Sequence, residues 1–330
     1  LHRVNPHRYP FLLESAAGAT PQGCCDLLLG WPGDALVLDG KGRLEGPGAG
    51  PDADFLHALD RWHAAAGGPA APSSGPTAGG WFVFLGYELA AQVEPSLRLQ
   101  RPRHLPVALA VQCGVVILRN RDHGECTLSV ADRTLLAQVE ADLEQARRLP
   151  KTDFCGLDAA PQEDAPERFL AAVARAREYI IKGDIFQANL SRAWRVPLGA
   201  PADPAALYAQ LRRSNPGSFA GLARWDGHAV ISSSPERLIS IRDGWVETRP
   251  IAGTRPRGLS AADDLALEQE LIAHPKERAE HVMLIDLERN DLGRICQPGT
   301  VEVSEMMVLE SYAHVHHIVS NVRGRLEEGI

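Results

Sequence analysis

The sequence predicts an α+β fold built on antiparallel sheet. Asp226-Gly227 and Asp243-Gly244 each sit between short strand-like runs, and Asp-Gly is a strong hairpin signal because a type I′ turn needs positive φ at both central residues. Helical periodicity is kept apart from those runs: Phe169, Val173, Ala176 and Ile180 fall on one helix face. No GxGxxG or Walker loop stands where a nucleotide would need one, so a doubly wound fold is not expected.

The first half mixes element types. Phe55, Leu56, Leu59 and Trp62 have helical spacing, residues 81–87 and 107–118 read as strands, and Arg121-Asp122-His123-Gly124 reads as a turn before a short strand that ends at Val130. Residues 135–148 read as a helix. Segments 46–53 and 67–80 are rich in Gly and Pro and read as loops. The region 149–165 has no clear period and is expected to join two halves. The resulting division is an α+β region at 1–150, a linker at 151–165 and a second region at 166–330.

The second half is clearer. Asp164 is placed to cap a helix with Pro166 in its first turn, and Gly183 to end it. A strand is expected over 185–196, then a helix with Asp203 at its cap and Pro204 after it. Further helices are expected over 261–273 and from Pro275 to about Glu288, before a β-rich segment at 301–325.

Composition narrows the function. Among 330 residues, 34 Lys and Arg against 42 Asp and Glu give a net charge of −8, which argues against nucleic acid as the main partner, since phosphate binding needs a basic face. The longest apolar run, 107–118, is too short to cross a bilayer, so no membrane span is expected and a cytoplasmic protein is the simplest reading. Six cysteines include no CxxC pair and read as free thiols.

Four segments carry residues fit for chemistry. SSSPERL (232–238) sets Glu236 beside a proline at a strand junction, and TRPIAGTRPRG (248–258) packs Gly253, Thr254 and arginines into one loop. Backbone N–H groups and a hydroxyl in such a loop suit a carboxylate ligand. HPKERAEHVMLIDLERNDLGR (274–294) is punctuated by Glu277, Glu280, Asp286 and Asp291. The helical acids alone read as a solvated face, with Glu277 paired to the Arg278 or His281 region. HVHHIVSNVRG (314–324) holds His314, His316 and His317. This cluster lacks the spacing of familiar zinc sites, and His316 and His317 should face opposite sides of a strand.

In this order the segments, with GDIFQANLSR (183–192), resemble the chorismate-binding family, which includes the anthranilate, aminodeoxychorismate, isochorismate and salicylate synthases. The likeness extends more weakly to FLLES (11–15) and WFVFLGYELA (81–90). It implies antiparallel sheets packed as a sandwich with outer helices, and a Mg²⁺-dependent reaction on chorismate. By resemblance, Glu236 is the acid for the departing 4-hydroxyl, Glu280 a magnesium-associated glutamate, Gly253 and Thr254 the loop that receives substrate, and His317 a site histidine. Gln187 stands where the water-adding members carry a lysine base. Glutamine cannot act as a base, so amination is favoured.

The resemblance is nearest to aminodeoxychorismate synthase component I, with a glutamine amidotransferase partner supplying ammonia for p-aminobenzoate and folate synthesis. Ala252 departs from that branch, whose familiar members place a lysine there, and agrees with anthranilate synthase, the alternative; a non-catalytic protein of the same fold is the second alternative. Leu13, Glu14 and Ser15 resemble a tryptophan effector segment. The family continues past the VHHIVS segment, so the C-terminal portion is expected to be missing and the 330-residue chain to be inactive alone.

Overall fold

Strand-forming runs and tight turns organise the chain into antiparallel sheets. The computed structural model describes residues 1–17, 25–50, 54–66, 79–150, 159–199 and 202–330. In chain order the first elements are β1 (Phe11–Glu14), β2 (Cys25–Leu38), β3 (Leu44–Glu45), α1 (Phe55–Ala65), β4 (Gly80–Leu85), α2 (Ala90–Val93), β5 (Ala108–Asn120), β6 (Cys126–Val130) and α3 (Leu136–Arg148). There follow β7 (Gln162–Glu163), α4 (Pro166–Lys182), β8 (Trp194–Arg195), α5 (Pro204–Ser214), β9 (Phe219–Trp225) and β10 (His228–Ser234). The last are β11 (Ser240–Arg242), β12 (Trp245–Thr248), β13 (Ile251–Pro256), α6 (Ala261–Ala273), α7 (Pro275–Leu292), β14 (Glu302–Ser311) and β15 (Val315–Arg325). The α+β class with antiparallel sheets and helices is therefore the observed one.

The larger sheet runs β10-β9-β1-β2-β5-β4, with β3 on β2 and β6 on β5. Asp226 and Gly227 both take positive φ at the β9–β10 turn, as that hairpin requires. Phe11, Leu29, Phe82, Leu109 and Val111 form one core cluster, in which the Phe11 and Phe82 rings stack with centroids 3.8 Å apart. On α1, Asp54 caps the helix through the His57 N–H, and Phe55, Ala58 and Trp62 bury their face with Leu36, Leu38, Ala108 and Ala110. Arg8 and the Tyr9 hydroxyl both donate to Asp142 of α3.

The second sheet runs β11-β12-β15-β13, with β14 also on β15. β12 and β13 share one edge of the long β15, and β14 takes the other. Leu271 of α6 packs with Met307 and Ile318, and Ile285 and Leu292 of α7 pack with Val246 and Val322. Buried His281 fixes α7 further, its Nε2 lying 2.7 Å from the Ser320 hydroxyl of β15.

Several sequence expectations need correction. The strand expected over 185–196 is reduced to β8, two residues paired with β7. Asp164 does not cap α4: Ala165 holds the cap position, and the Asp164 carboxylate instead accepts from Arg195 and the Ala193 N–H. Gly183, at φ 78°, does end that helix. α7 continues to Leu292, beyond the expected end near Glu288.

Compactness divides the chain into Leu1–Lys151 with Tyr208–Ile330, and Thr152–Leu207. That differs from boundaries at 150 and 166, because β9 of the second half pairs with β1 in register Phe11↔Ala223. Among the described residues no helix is long and apolar enough to cross a membrane.

Phe11 is fully buried and stacked, so Phe11→Ala should lose about 3–5 kcal/mol of stability through lost transfer energy and a residual cavity. Urea unfolding measures it; a loss below about 1 kcal/mol would show that this stack is not a core contact.

Candidate active site

The site is built around an irregularity in β13. Register slips between Ala252 and Thr254 against β15, and Gly253 at the slip has φ 75°. A Cβ there would also stand 3.1 Å from Leu271 Cδ1 and 3.3 Å from Glu277 Cβ. Backbone conformation and close packing both call for glycine. The bulge sets Thr254 opposite His317, with Thr254 Oγ1 3.0 Å from His317 Nδ1 and the Gly253 carbonyl 3.4 Å from the same nitrogen. Three expected site residues thus meet in one place.

A buried polar network backs His317. Tyr312 stands edge-on to its ring, centroids 5.6 Å apart, and donates its hydroxyl to Glu310 Oε2 at 2.7 Å. Arg249 Nε and Nη2 donate to Glu310 Oε1 at 3.0 and 2.7 Å, and its Nη1 donates to Glu305. Burial pushes the His317 pKa down; the Gly253 carbonyl and the Glu310 charge oppose that shift, and His316 adds to it.

His316 serves the opposite face of β15, as alternation requires. It is fully buried, with Nε2 2.8 Å from Asp264 Oδ1 and Nδ1 2.7 Å from the Ser311 hydroxyl and 3.3 Å from Glu268. Asp264, Glu268 and His316 are the group of three potential metal donors among the described residues. Asp264 is already saturated, because Arg257 grips both of its oxygens and the Gly258 N–H donates to Oδ1 at 2.7 Å. Those donors hold its carboxyl well below the ordinary range, the Arg257 bond first. The trio therefore reads as a latch between α6 and β15, not as a metal centre.

Glu236 follows β10 and reaches the start of β13, where its carboxylate accepts the Ile251 N–H. Its side chain keeps an opening to solvent, yet partial desolvation outweighs that hydrogen bond and raises its pKa. Its neighbour Arg237 pairs with Glu247 at 3.2 Å. Glu288 of α7 is a carboxylate that the motif reading passed over. Its pKa is raised by desolvation first, then by Asp291 and Glu236, against a hydrogen bond from Thr248. Two acids with raised pKa thus converge on the corner between β12 and β13. The eight-residue spacing from Glu280, on one helix face, was the available signal.

Glu280 is half-buried on α7, with Lys276 3.4 Å away. One turn earlier, Glu277 faces Arg255 at 3.5 Å, not Arg278 or His281. Gln187 belongs to the smaller unit, in a groove of about 560 Å³ lined by Val173, Ala176, Arg177, Ile180 and residues 187–190. At the end of β1, Leu13 is partly exposed, while Glu14 and the following Ser15 are buried. Arg212 donates to both Glu14 oxygens at 2.7 and 2.8 Å, and the Ser15 hydroxyl donates to the Cys25 carbonyl.

Comparison with known proteins supplies the context. Residues 22–330 match the model of the family described as chorismate binding enzyme. The chain is 39% identical over 280 residues to anthranilate synthase component 1 of Cereibacter sphaeroides, covering 77% of this chain and 54% of that relative. It is 46% identical over 210 residues to aminodeoxychorismate synthase component 1 of Bacillus subtilis, covering 64% of this chain and 43% of that relative. The chain thus spans about half the length of these curated relatives. The crystal structure of anthranilate synthase component I from Streptococcus pneumoniae TIGR4 superposes with a TM-score of 0.77 at 27% identity, covering 94% of this chain and 71% of that one.

Raised carboxyl pKa values have a defined stability consequence. The folded state binds protons at Glu236 and Glu288 more tightly than the unfolded chain does, so their contribution is fully present below the unfolded pKa and is lost as pH rises through the folded one. Glu288→Gln should therefore unfold at higher urea than the parent at pH 7, with the difference vanishing below about pH 4. A variant less stable than the parent at pH 7 would mean that the Glu288 charge is favourable where it lies.

Proposed function

The chain belongs to the chorismate-binding enzyme family, and from that premise we propose that it aminates chorismate to 4-amino-4-deoxychorismate. Ammonia would come from a glutamine amidotransferase partner, on the route to p-aminobenzoate and folate. The observation that carries the reading is the acid Glu236, with its raised pKa, at the head of the strand that presents Gly253 and Thr254 to His317.

The chemistry fits those residues. Chorismate carries a ring carboxylate, an enolpyruvyl carboxylate and a 4-hydroxyl that must depart. Hydroxide leaves poorly, so an acid must deliver a proton to that oxygen. A carboxyl whose pKa is raised by partial desolvation keeps its proton closer to neutral pH, which suits Glu236 to the task. Gly253 and Thr254 would receive the substrate, and His317 would handle charge near the ring. Gln187 cannot serve as a base, and ammonia is already a nucleophile. Glu280 offers the hard oxygen donor that Mg²⁺ takes, alongside substrate oxygens. When bound, that ion would neutralise a substrate carboxylate and polarise the ring.

Anthranilate synthase component I remains the second reading, favoured by Ala252 and by the Cereibacter relative. Chromatographic product analysis of the full gene product with chorismate, Mg²⁺ and an ammonium salt separates the two outcomes. Glu236→Gln should lower turnover about 10²–10⁴-fold, and unchanged turnover would remove Glu236 from the acid role. Glutamine should replace ammonium only when the amidotransferase subunit is added.

Tryptophan is proposed as a ligand beside Leu13, Glu14 and Ser15. It would have to compete with Arg212 for Glu14 and with the Cys25 carbonyl for the Ser15 hydroxyl. Titration calorimetry with tryptophan should show weak binding that Glu14→Gln abolishes. An absence of heat under conditions that detect chorismate would end this idea.

A further inference from the structure

We propose that Tyr312 and Glu310 are positioning residues for His317: with the Gly253 carbonyl they present its imidazole as the Nδ1–H tautomer and leave Nε2 as the nitrogen that meets a ligand. The kinetic part of the proposal rests on the chorismate reading above; the tautomer does not.

The argument starts from donors and acceptors. A backbone carbonyl has no proton to give, so the contact between His317 Nδ1 and the Gly253 carbonyl at 3.4 Å needs the proton on Nδ1. Thr254 Oγ1 at 3.0 Å can accept from the same N–H. In the neutral ring Nε2 then carries the lone pair and accepts a proton or a hydroxyl hydrogen from a ligand. Protonated, it donates. The bulge at Gly253 therefore selects which nitrogen does chemistry as well as where the ring stands.

The remaining constraint comes from β14. Glu310 lies directly opposite His317 in the β14–β15 register. Its two oxygens are held separately, Oε1 by Arg249 and Oε2 by the Tyr312 hydroxyl. The Tyr312 ring meets His317 edge-on and limits its rotation. Of the charged groups facing this region, Glu310 favours the imidazolium, and His316 on the same strand disfavours it. On the bulge side, Arg255 is paired with Glu270 and Glu277. Glu310 is thus the anion left to act on His317, and Tyr312 keeps it in place.

The test is two-bond ¹H–¹⁵N correlation on the full chain with ¹⁵N-labelled histidine, with His317→Gln identifying the signals. In the parent protein, Nδ1 should be the protonated nitrogen of neutral His317; finding the proton on Nε2 overturns the assignment without any variant. Glu310→Gln should lower the His317 titration midpoint by about one pH unit while keeping the tautomer that Gly253 sets. Tyr312→Phe keeps the ring and removes the tether, and should lower the midpoint by roughly half as much. Circular dichroism reports folding, and if one variant fails to fold the other decides. An unmoved midpoint in a folded variant overturns the positioning role. In the active enzyme, the pH profile of chorismate turnover should shift with the midpoint. Absence of turnover with the expected NMR behaviour would count against the chorismate reading alone.

Discussion

The half of the molecule that holds the candidate site depends on one buried ion pair. Arg249 and Glu310 are both almost fully enclosed, with 6% and 8% of their side chains exposed. Enclosing two charges is costly, and the cost is recovered only when every donor and lone pair is used. Here that condition is met closely: the guanidinium reaches Glu310 by two nitrogens and Glu305 by the third, and Tyr312 satisfies the remaining Glu310 oxygen. A lysine could not reproduce this, since an ammonium is a point donor without the planar fork. Arg249 stands at the corner between β12 and β13, while Glu305 and Glu310 belong to β14 on the other side of β15. The network therefore fixes the width of the three-strand unit in which Thr254, His317 and Tyr312 face one another.

The same surroundings sort the carboxylates into two populations. Asp264 meets a guanidinium, a backbone N–H and an imidazole, and it is held ionised to low pH. Glu236 and Glu288 meet partial burial and each other, with one neutral hydrogen bond apiece, and are pushed toward the protonated form. Divergent environments around similar side chains mark out structural and reactive roles. On that criterion the Asp264 cluster locks α6 to the sheet, and the corner between β12 and β13 gathers the two carboxyls that partial burial favours in the protonated form.

Much of the framework was legible because it is encoded locally. The Asp226-Gly227 and Asp243-Gly244 pairs take positive φ at their hairpin turns, Gly183 ends α4 in a left-handed cap, and alternation alone sends His316 and His317 to opposite faces. What escaped depends on partners distant in sequence. Asp164 has the residue type and spacing of a helix cap, but Arg195 lies within 2.7 Å and claims it. The run 185–196 has strand-like composition, but β7 offers it only two residues of pairing. The partner of Glu14 is Arg212, 198 positions away, and no local pattern connects them. Glu288 escaped for a related reason: on a helix rich in acids it looks like every other solvated carboxylate until the fold sets it beside Thr248 and Glu236.

Ala252 shows how far local packing reaches into the proposed chemistry. It lies immediately before the bulge, opposite fully buried Ile318, and only 7% of it is exposed. A lysine at this position, which the resemblance to aminodeoxychorismate synthase leads one to expect, would bring a primary amine to this corner. An ammonium enclosed here would lose hydration and shift strongly toward the neutral amine, which is what makes such a lysine nucleophilic. A methyl group in the same enclosure contributes packing and no electron pair. Under the proposed amination, the nitrogen that attacks the ring must then be ammonia itself, in the first bond-forming step. Regiochemistry passes from a side chain tethered to β13 to two other things: the position at which ammonia reaches the ring, and the distance of that position from the proton on Glu236. Under that reading, residues that orient the ring by its carboxylates carry the specificity that a lysine would otherwise impose.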